Sequence, residues 1–254
     1  MSKNIKIALV TGGSRGLGRD MALQLAAKGR DVILTYHSKT DEAQAVVTHI
    51  EEMGRRAVSL QLNVAQSHSF DTFFRQVKAA LQTTWERDTF DFLVNNAGAG
   101  IYVPFAETTE EQFDQMVNIH FKSVFFLTQK LLPLIADGGR ILNVSSGLAR
   151  FTYPGSSAYA SSKGAVETLT RYMAKELAPR SIAVNVVAPG AIETDFGGGR
   201  VRDNRELNQG IASQTALGRV GLPEDIGGVV ASLLSDEMGW INGQRIEVAG
   251  GIHL

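Results

Sequence analysis

The 254-residue sequence contains no cysteine. The chain can therefore form neither a disulfide nor a thiolate metal site. Its five histidines, at positions 37, 49, 68, 120 and 253, do not have the spacing that is typical of metal ligands. We expect no metal cofactor.

An excess of charge of one sign is also missing, because 25 basic residues are balanced by 26 acidic ones. Proteins that bind polyanions usually carry a basic excess, so we expect no nucleic-acid partner. No apolar run is long enough to span a bilayer, and a strand-like segment begins at Ile5, which leaves no room for a signal peptide. We expect a soluble cytoplasmic protein without a membrane partner.

What is present is a regular alternation of strand and helix patterns, which indicates a parallel sheet covered by helices on both faces. Strands are predicted at residues 5–10, 32–36, 57–64, 92–94, 140–144, 181–187 and 244–248. Helices are predicted from the turn after the first strand to residue 29 and at 41–54, 67–81, 110–135, 157–179 and 223–235. We expect one domain over residues 1–254, with a weakly patterned, mobile segment at about 195–218.

A glycine-rich turn joins the first strand to the first helix. Gly12, Gly16 and Gly18 are spaced G-x-x-x-G-x-G. Glycines let the backbone approach a pyrophosphate closely, and the free amides at the start of the helix attract its negative charge. The alternative is an ordinary tight turn, but the strand before it and the helix after it favour a nucleotide-binding turn.

The end of the second strand indicates which dinucleotide this turn would bind. An NAD site usually places an acidic side chain here for the ribose 2′-hydroxyl, whereas a 2′-phosphate requires neutral or positive donors. The sequence has Tyr36-His37-Ser38-Lys39 at this point, and Arg15 in the glycine turn can approach from the other side. We favour NADP(H) over NAD(H); the alternative is that Arg15 and Lys39 are solvated surface charges.

Polar segments also follow later strands. Residues 95–98 (Asn-Asn-Ala-Gly) follow the fourth strand, Ser145 and Ser146 the fifth, and residues 189–194 the sixth. Nucleotides bind in the crevice outside the carboxyl ends of such strands. Taken alone, the Asn-Asn-Ala-Gly segment could simply be a turn.

The predicted 157–179 helix carries Tyr159 and Lys163 one turn apart. Residues four apart lie on one helix face, so the phenol and the ammonium point into the same space. A free phenol has a pKa of about 10, and a nearby cation lowers that pKa, which makes a tyrosine usable as an acid or base. The alternative is a solvated lysine below a packing tyrosine.

Asn118 is unusual because it lies in the apolar centre of the predicted 110–135 helix. A buried amide needs hydrogen-bond partners and often marks a local distortion of a helix. The alternative is an amide that nearby backbone satisfies. The apolar centre itself indicates burial or a subunit contact.

In order and spacing, these motifs resemble the short-chain dehydrogenases/reductases of about 250 residues, over essentially the whole chain. The sequence is also similar to β-ketoacyl reductases and glucose dehydrogenases within that family. The resemblance implies a single-domain Rossmann fold of the α/β class, with a doubly wound, seven-stranded parallel sheet. It further implies an NAD(P)-dependent oxidoreductase, acting on a small-molecule carbonyl or secondary alcohol, that is a homotetramer or homodimer.

The resemblance implies a role for each matching residue. Tyr159 would be the general acid or base, and Ser146 would hydrogen-bond the same substrate oxygen. Lys163 would bind the nicotinamide ribose and lower the pKa of Tyr159, while Asn118 would hold a water molecule in a proton relay. Ser145 is the alternative to Ser146, but the spacing to Tyr159 favours Ser146.

The cofactor would contact residues along the whole crevice, with Arg15 beside the 2′-phosphate, Asn63 and Val64 at the adenine, Asn95 on the adenosine side, and Ile192 and Thr194 at the carboxamide. The full expected set is Gly12, Ser14, Arg15, Gly16, Leu17, Gly18, Tyr36, His37, Ser38, Asn63, Val64, Asn95, Ala97, Gly98, Tyr159, Lys163, Pro189, Gly190, Ile192 and Thr194.

The substrate pocket implied by the resemblance is largely apolar, which suggests a ketone or aldehyde with hydrophobic substituents. Its expected residues are Ile101, Tyr102, Val103, Leu148, Phe151, Tyr153 and Phe196. One alternative is a β-ketoacyl-carrier-protein reductase of fatty-acid synthesis, which would need basic residues at the mouth; Arg180 could serve, whereas Asp137 opposes it. The other is a non-catalytic, nucleotide-binding regulatory relative, which the intact serine, tyrosine and lysine disfavour.

Overall fold

The structure is a computed structural model that describes residues 5–254. These residues form a seven-stranded sheet in which neighbouring strands are parallel, in the order β3-β2-β1-β4-β5-β6-β7. The strands are β1 (Ile7–Val10), β2 (Asp31–Tyr36), β3 (Ala57–Gln61), β4 (Phe90–Asn95), β5 (Ile135–Val144), β6 (Ala183–Pro189) and β7 (Arg245–Val248). The predicted doubly wound parallel sheet is confirmed. The expectation that the chain enters its first strand directly from Met1 concerns residues 1–4, which lie outside the described residues.

Helices cover both faces of the sheet. The described residues form the α-helices α1 (Gly16–Ala27), α2 (Thr40–Glu52), α3 (Phe70–Trp85), α4 (Glu110–Val117), α5 (Ser123–Leu131), α6 (Ser157–Glu176), α7 (Arg200–Asp203), α8 (Arg205–Ser213) and α9 (Pro223–Leu233). Anywhere from residue 5 to residue 254, a helix with the length and apolar character of a bilayer span is missing.

The sheet separates two apolar cores, and the pleat of β1 shows why. Ala8 and Val10 pack into a core shared with α1, α2 and α9, whereas Ile7 and Leu9 face a core shared with α3, α5 and α6. Side chains of a strand alternate between faces, so a strand covered on both sides is apolar throughout. This explains the uninterrupted hydrophobic runs in the sequence.

The strand order also determines where a ligand can bind. β1 lies between β2 and β4, so the chain reverses its direction across the sheet after β3. A crevice opens at such a point outside the carboxyl ends of the strands. The glycine turn after β1 and the polar segments after β4, β5 and β6 all lie along this edge.

The predicted 110–135 helix is not continuous. A π turn, Asn118–Lys122, separates α4 from α5. The distortion predicted at Asn118 is therefore confirmed. The predicted end of the helix is wrong, because Pro133 cannot continue an α-helical hydrogen-bond ladder; Leu132–Leu134 forms a 3₁₀ turn, and β5 begins at Ile135.

The 195–218 segment contains two short helices, α7 and α8, which the sequence did not predict. Charged side chains of this segment form ion pairs with one another: Arg202 pairs with Asp195 and Asp203. Such a stretch lacks the apolar periodicity by which helices are predicted. Three glycines before α7, residues 197–199, have φ values of 61°, 76° and 76°. The mobility of this segment stays a prediction.

Exposed aromatic side chains occur on α5, which belongs to the predicted 110–135 helix whose apolar centre indicates burial or a subunit contact, and on α6. Phe125 and Phe126 of α5 are 40% and 43% exposed, and Tyr172 of α6 is 62% exposed. Apolar groups exposed in this way are compatible with burial by a second copy of the chain. The expected homotetramer or homodimer stays a prediction.

Candidate active site

A cavity of about 830 Å³ lies along the carboxyl edge of the sheet. Most of the residues expected from the sequence line it: Gly12, Ser14, Arg15, Gly16, Leu17, Gly18, Tyr36, His37, Asn63, Val64, Ala97, Gly98, Ser146, Tyr159, Lys163, Pro189, Gly190, Ile192 and Thr194. Ser38, Asn95 and Asn118 are not among the lining residues. For Ser38 the reason is its position beyond the mouth, where it is exposed.

The glycine turn is packed so closely that side chains do not fit. A Cβ on Gly18 would lie 2.1 Å from the Gly12 carbonyl oxygen, and one on Gly12, where φ is +67°, would lie 2.9 Å from the Ala97 Cα. No side chain caps the start of α1 at Arg15. The first amides of α1 therefore remain free to bind an anion in the cavity.

Thr11 and Asn96 connect the glycine turn to the segment after β4. The Thr11 hydroxyl accepts hydrogen bonds from the amides of Asn96 and Ala97, at 2.9 and 3.0 Å. The Asn96 side chain donates to the carbonyl oxygens of Thr11 and Gly12, at 2.9 and 3.2 Å. These bonds fix the turn that would hold a pyrophosphate.

The expected role of Asn95 on the adenosine side is corrected by the structure. β4 extends to Asn95, so this side chain points into the protein and donates to Thr128 and Asn143, at 3.0 and 2.9 Å. Its neighbour Asn96 is the residue that lines the cavity.

The end of β2 presents neutral and basic groups to the cavity. Tyr36 and His37 line it there, and Arg15 lines it from the glycine turn. Among the described lining residues, Asp195 is the only acidic one, and it belongs to the segment after β6. This chemistry suits a phosphate better than a hydroxyl.

The two serines after β5 have different environments. The Ser145 hydroxyl donates to Glu167 Oε1 at 2.6 Å, and Arg245 donates to the same oxygen at 2.8 Å. Both serines line the cavity, but the Ser146 hydroxyl accepts a hydrogen bond from the Leu148 amide at 3.2 Å and is within hydrogen-bonding reach of the Tyr159 phenol. The geometry thus favours Ser146 over Ser145 as the reactive hydroxyl.

Tyr159 and Lys163 lie on the cavity face of α6. The Lys163 nitrogen is 5.7 Å from the centre of the Tyr159 ring and donates to the Val144 carbonyl oxygen at 2.7 Å. Lys163 is buried. Its ammonium therefore has fewer hydrogen bonds than its three N–H groups can make.

The expected effect of Lys163 on the pKa of Tyr159 is corrected. Burial raises the pKa of the Tyr159 phenol above its ordinary value, although the nearby Ser146 hydroxyl opposes this rise. Burial also lowers the pKa of Lys163 to about 7. Desolvation of both groups outweighs their mutual attraction, because each loses its charge-stabilising water.

The proton-relay role expected for Asn118 stays a prediction. Asn118 begins the π turn but does not line the cavity, whereas Ile119 and His120 do. The His120 ring meets the Tyr159 ring edge-on, with centroids 4.9 Å apart. His120 could not be predicted from the sequence, because Asn118 indicated a distortion but not the π turn that sets the direction of the His120 side chain.

Aromatic groups form the outer part of the cavity. The rings of Phe196 and Tyr159 are 5.7 Å apart, and the Arg200 guanidinium lies 4.6 Å from the centre of the Tyr102 ring. Of the expected pocket residues, Tyr102, Leu148, Phe151, Tyr153 and Phe196 line the cavity, whereas Ile101 and Val103 do not. Phe196 is in contact with the position that a side chain on Gly100 would occupy.

Arg180 is at the opposite edge of the sheet from the cavity. It donates to the carbonyl oxygens of Leu132 and Ile135, at the start of β5, and pairs with Asp137 at 2.7 Å. Arg180 therefore cannot meet an acidic carrier protein at the mouth, and this support for a carrier-bound substrate is lost.

Comparisons with known proteins agree with this geometry. Residues 12–253 match a family model described as enoyl-(acyl carrier protein) reductase. The hydroxynaphthalene reductase-like protein Arp2 of Metarhizium brunneum is 36% identical over 257 residues, covering 97% of this chain and 94% of that protein.

Two solved structures are similar over nearly their full length. The promiscuous reductase LugOII, which catalyses keto-reduction at C1 during lugdunomycin biosynthesis, has a TM-score of 0.92 at 39% identity, covering 97% of this chain and 96% of its own. The angucycline C-6 ketoreductase LanV with bound NADP has a TM-score of 0.92 at 36% identity, covering 97% of this chain and 95% of its own. The chain therefore belongs to the short-chain dehydrogenase/reductase family of NAD(P)-dependent oxidoreductases.

Proposed function

We propose that this protein is an NADPH-dependent carbonyl reductase in which Tyr159 is the general acid. The observation that carries the proposal is the convergence of the Tyr159 phenol and the Ser146 hydroxyl on one cavity that a glycine turn also lines. A hydroxyl and a phenol at one point can both hydrogen-bond a single oxygen, and that oxygen becomes negative when a carbonyl is reduced.

The residues present fit a dinucleotide phosphate. The pyrophosphate would lie on the free amides of Gly16 and Leu17, in the space that side chains at Gly12 and Gly18 would fill. Arg15 and His37 would hold the 2′-phosphate, and Lys163 the nicotinamide ribose. NADPH supplies a hydride when it is bound. The NADP held by LanV supports this cofactor over NADH.

The protein's own groups complete the reduction. As hydride adds to the carbonyl carbon, the Tyr159 phenol transfers its proton to the carbonyl oxygen, and the Ser146 hydroxyl donates a hydrogen bond to that oxygen. The phenolate that remains is stabilised by the ammonium of Lys163. Burial raises the pKa of Tyr159, so the phenol is in the protonated form that a general acid needs.

The test is NADPH oxidation, followed spectrophotometrically with a panel of activated ketones and aldehydes. We expect turnover, and we expect kcat/KM for reduction to fall as pH rises through about 7. Protonated Lys163 is the active form, and burial lowers its pKa, so the cation is present below about 7 and lost above it. We call this fall in kcat/KM the alkaline limb of the pH profile. If Lys163 were not buried, the alkaline limb would lie above about pH 10.

A level pH profile up to about pH 9 would contradict the role of Lys163. Its matched control is Lys175→Arg, which changes an exposed lysine of α6 and should leave the profile in place. Absence of both carbonyl turnover and NADPH binding would overturn the enzyme proposal itself and favour the regulatory alternative.

Cofactor preference gives a separate prediction. Arg15→Ala should raise the KM for NADPH by about tenfold or more and that for NADH by less than about twofold, because a charge-assisted bond to phosphate contributes about 1.5–3 kcal/mol. The measurement is initial-rate kinetics with each cofactor. The control is Arg19→Ala, an exposed arginine of α1 outside the cavity lining. Equal losses for NADPH and NADH would refute the assignment.

For the substrate, we propose a flat, polycyclic aromatic ketone. Tyr102, Phe151, Tyr153 and Phe196 supply aromatic surfaces around the cavity, and such surfaces favour stacked or edge-on contacts with aromatic rings. Reductases of hydroxynaphthalenes and angucyclines among the relatives support this class. A β-ketoacyl thioester belongs in the same panel, and a clear preference for it would favour fatty-acid synthesis instead.

A further inference from the structure

His120 is the buried polar group of the site for which the proposed reaction gives no role. It is 1% exposed and lies on the π turn between α4 and α5, although it also lines the cavity. Its Nδ1 atom is buried and has no hydrogen-bond partner within the described residues. A buried nitrogen without a partner is rare and requires an explanation.

The ring orientation follows from its other nitrogen. Nε2 lies 2.6 Å from the Ala99 carbonyl oxygen and 3.4 Å from the Ala99 amide nitrogen. A carbonyl oxygen can only accept, so the shorter contact requires that Nε2 carries the hydrogen. Gly98 packs against the ring, since a Cβ there would lie 2.9 Å from Cε1. Burial and the nearby Lys163 charge lower the pKa of His120 well below its ordinary value. The imidazole is therefore neutral, and Nδ1 is an acceptor.

A donor without enough acceptors lies on the facing helix. The Lys163 ammonium has three N–H groups, of which one is bonded to Val144. The edge-on contact between His120 and Tyr159 brings the imidazole to the same side of α6. An acceptor without a partner and a donor with unused N–H groups thus both lie beside the Tyr159 ring.

We propose that His120 is a positioning residue whose Nδ1 accepts a hydrogen bond from the Lys163 ammonium through one buried water molecule, and so keeps Lys163 charged during reduction. This inference rests on the proposed function. The titratable side chains that face His120 are Lys163 and Tyr159 of α6, and Tyr102 acts on Tyr159 in turn. Glu167, one turn further along α6, is bonded to Ser145 and Arg245.

The test compares His120→Phe with His120→Asn. Phenylalanine keeps an aromatic ring beside Tyr159 but has no nitrogen, whereas the asparagine amide can donate to Ala99 and still offer an acceptor. We expect His120→Phe to lower kcat by about tenfold and to move the alkaline limb of the reduction profile down by about one pH unit, with little change in the KM for NADPH. His120→Asn should keep kcat and the alkaline limb close to their values in the unmodified protein.

The control is His49→Phe, an exposed position of α2, for which rate and profile should not change. ¹⁵N NMR of histidine in the unmodified protein gives a second, variant-independent readout. Between about pH 6 and pH 8 we expect His120 to be neutral, with the hydrogen on Nε2. We expect Nδ1 to accept a hydrogen bond.

Two results would overturn the inference: a limb that stays in place in His120→Phe, or hydrogen on Nδ1 in the NMR spectrum. Either result can occur while the unmodified enzyme reduces ketones. In that case the inference about His120 fails and the proposed function stands. If the unmodified protein turns over no carbonyl, the proposed function fails, and the NMR readout still decides the state of His120.

Discussion

Replacing Tyr159 with phenylalanine is expected to lower kcat for carbonyl reduction by about 10³-fold, since a positioned general acid contributes about 10²–10⁴-fold. The change removes one hydroxyl and leaves the ring in contact with His120 and Phe196. The affinity for NADPH should change by less than about twofold, because the glycine turn is not affected. The measurements are single-turnover rates and NADPH fluorescence titration.

Tyr172→Phe is the matched control, because Tyr172 lies on the same helix but is exposed outside the cavity. It should leave kcat and NADPH affinity as they are. A Tyr159→Phe variant that keeps more than about a tenth of the activity would mean that another group, with the Ser146 hydroxyl as the first candidate, delivers the proton.

The second large effect is expected at the glycine turn. Gly18→Ala should weaken NADPH binding by about 100-fold or more, equivalent to about 2.7 kcal/mol. The added Cβ would lie 2.1 Å from the Gly12 carbonyl oxygen and 2.5 Å from Asn96 Nδ2. Both groups belong to the hydrogen-bonded junction with Thr11, so the turn must move out of shape to make room. Fluorescence titration measures the affinity, and thermal unfolding reports the accompanying loss of stability.

Gly228→Ala in α9 provides the comparison, since a Cβ there would meet nothing within 4 Å. It should leave NADPH affinity unchanged and, in a helix interior, should not destabilise the protein. Normal NADPH affinity in Gly18→Ala would show that the phosphates do not lie on this turn.

Much of this fold can be predicted from periodicity alone. Strands buried on both faces have continuous apolar runs, and the α3 helix has an apolar face at helical spacing, on which Phe70, Phe73, Val77 and Leu81 are buried and Phe74 is partly buried. The glycine turn can also be predicted from the sequence, because only glycine fits where two backbone segments pack closely.

The errors arise where one residue changes the direction of a side chain. β4 ends one residue later than predicted, so Asn95 points into the core and Asn96 into the cavity. The π turn adds one residue to a helix, which changes side-chain directions by about 100°, and His120 of this turn contacts Tyr159. The asparagine within an apolar helix indicated the distortion, but spacing on a regular helix could not give its consequence.

The directions of the pKa shifts of Tyr159 and Lys163 could not be predicted from the sequence either. The spacing of Tyr159 and Lys163 predicts that they lie together, but the sign of the resulting pKa shift depends on how much water each has lost. In the structure burial dominates, so the phenol is a protonated acid and the lysine titrates near neutral pH. The site is thereby suited to reduction.

The central claim is that hydride passes from NADPH to a carbonyl carbon while Tyr159 protonates the oxygen. Mass spectrometry of the alcohol formed from NADPH dideuterated at C4 tests it most directly. The account predicts one deuterium, bound to the carbinol carbon, with the unmodified protein, and almost no product with a Tyr159→Phe variant that still binds NADPH. An alcohol without deuterium at that carbon, or undiminished product from the variant, would contradict it.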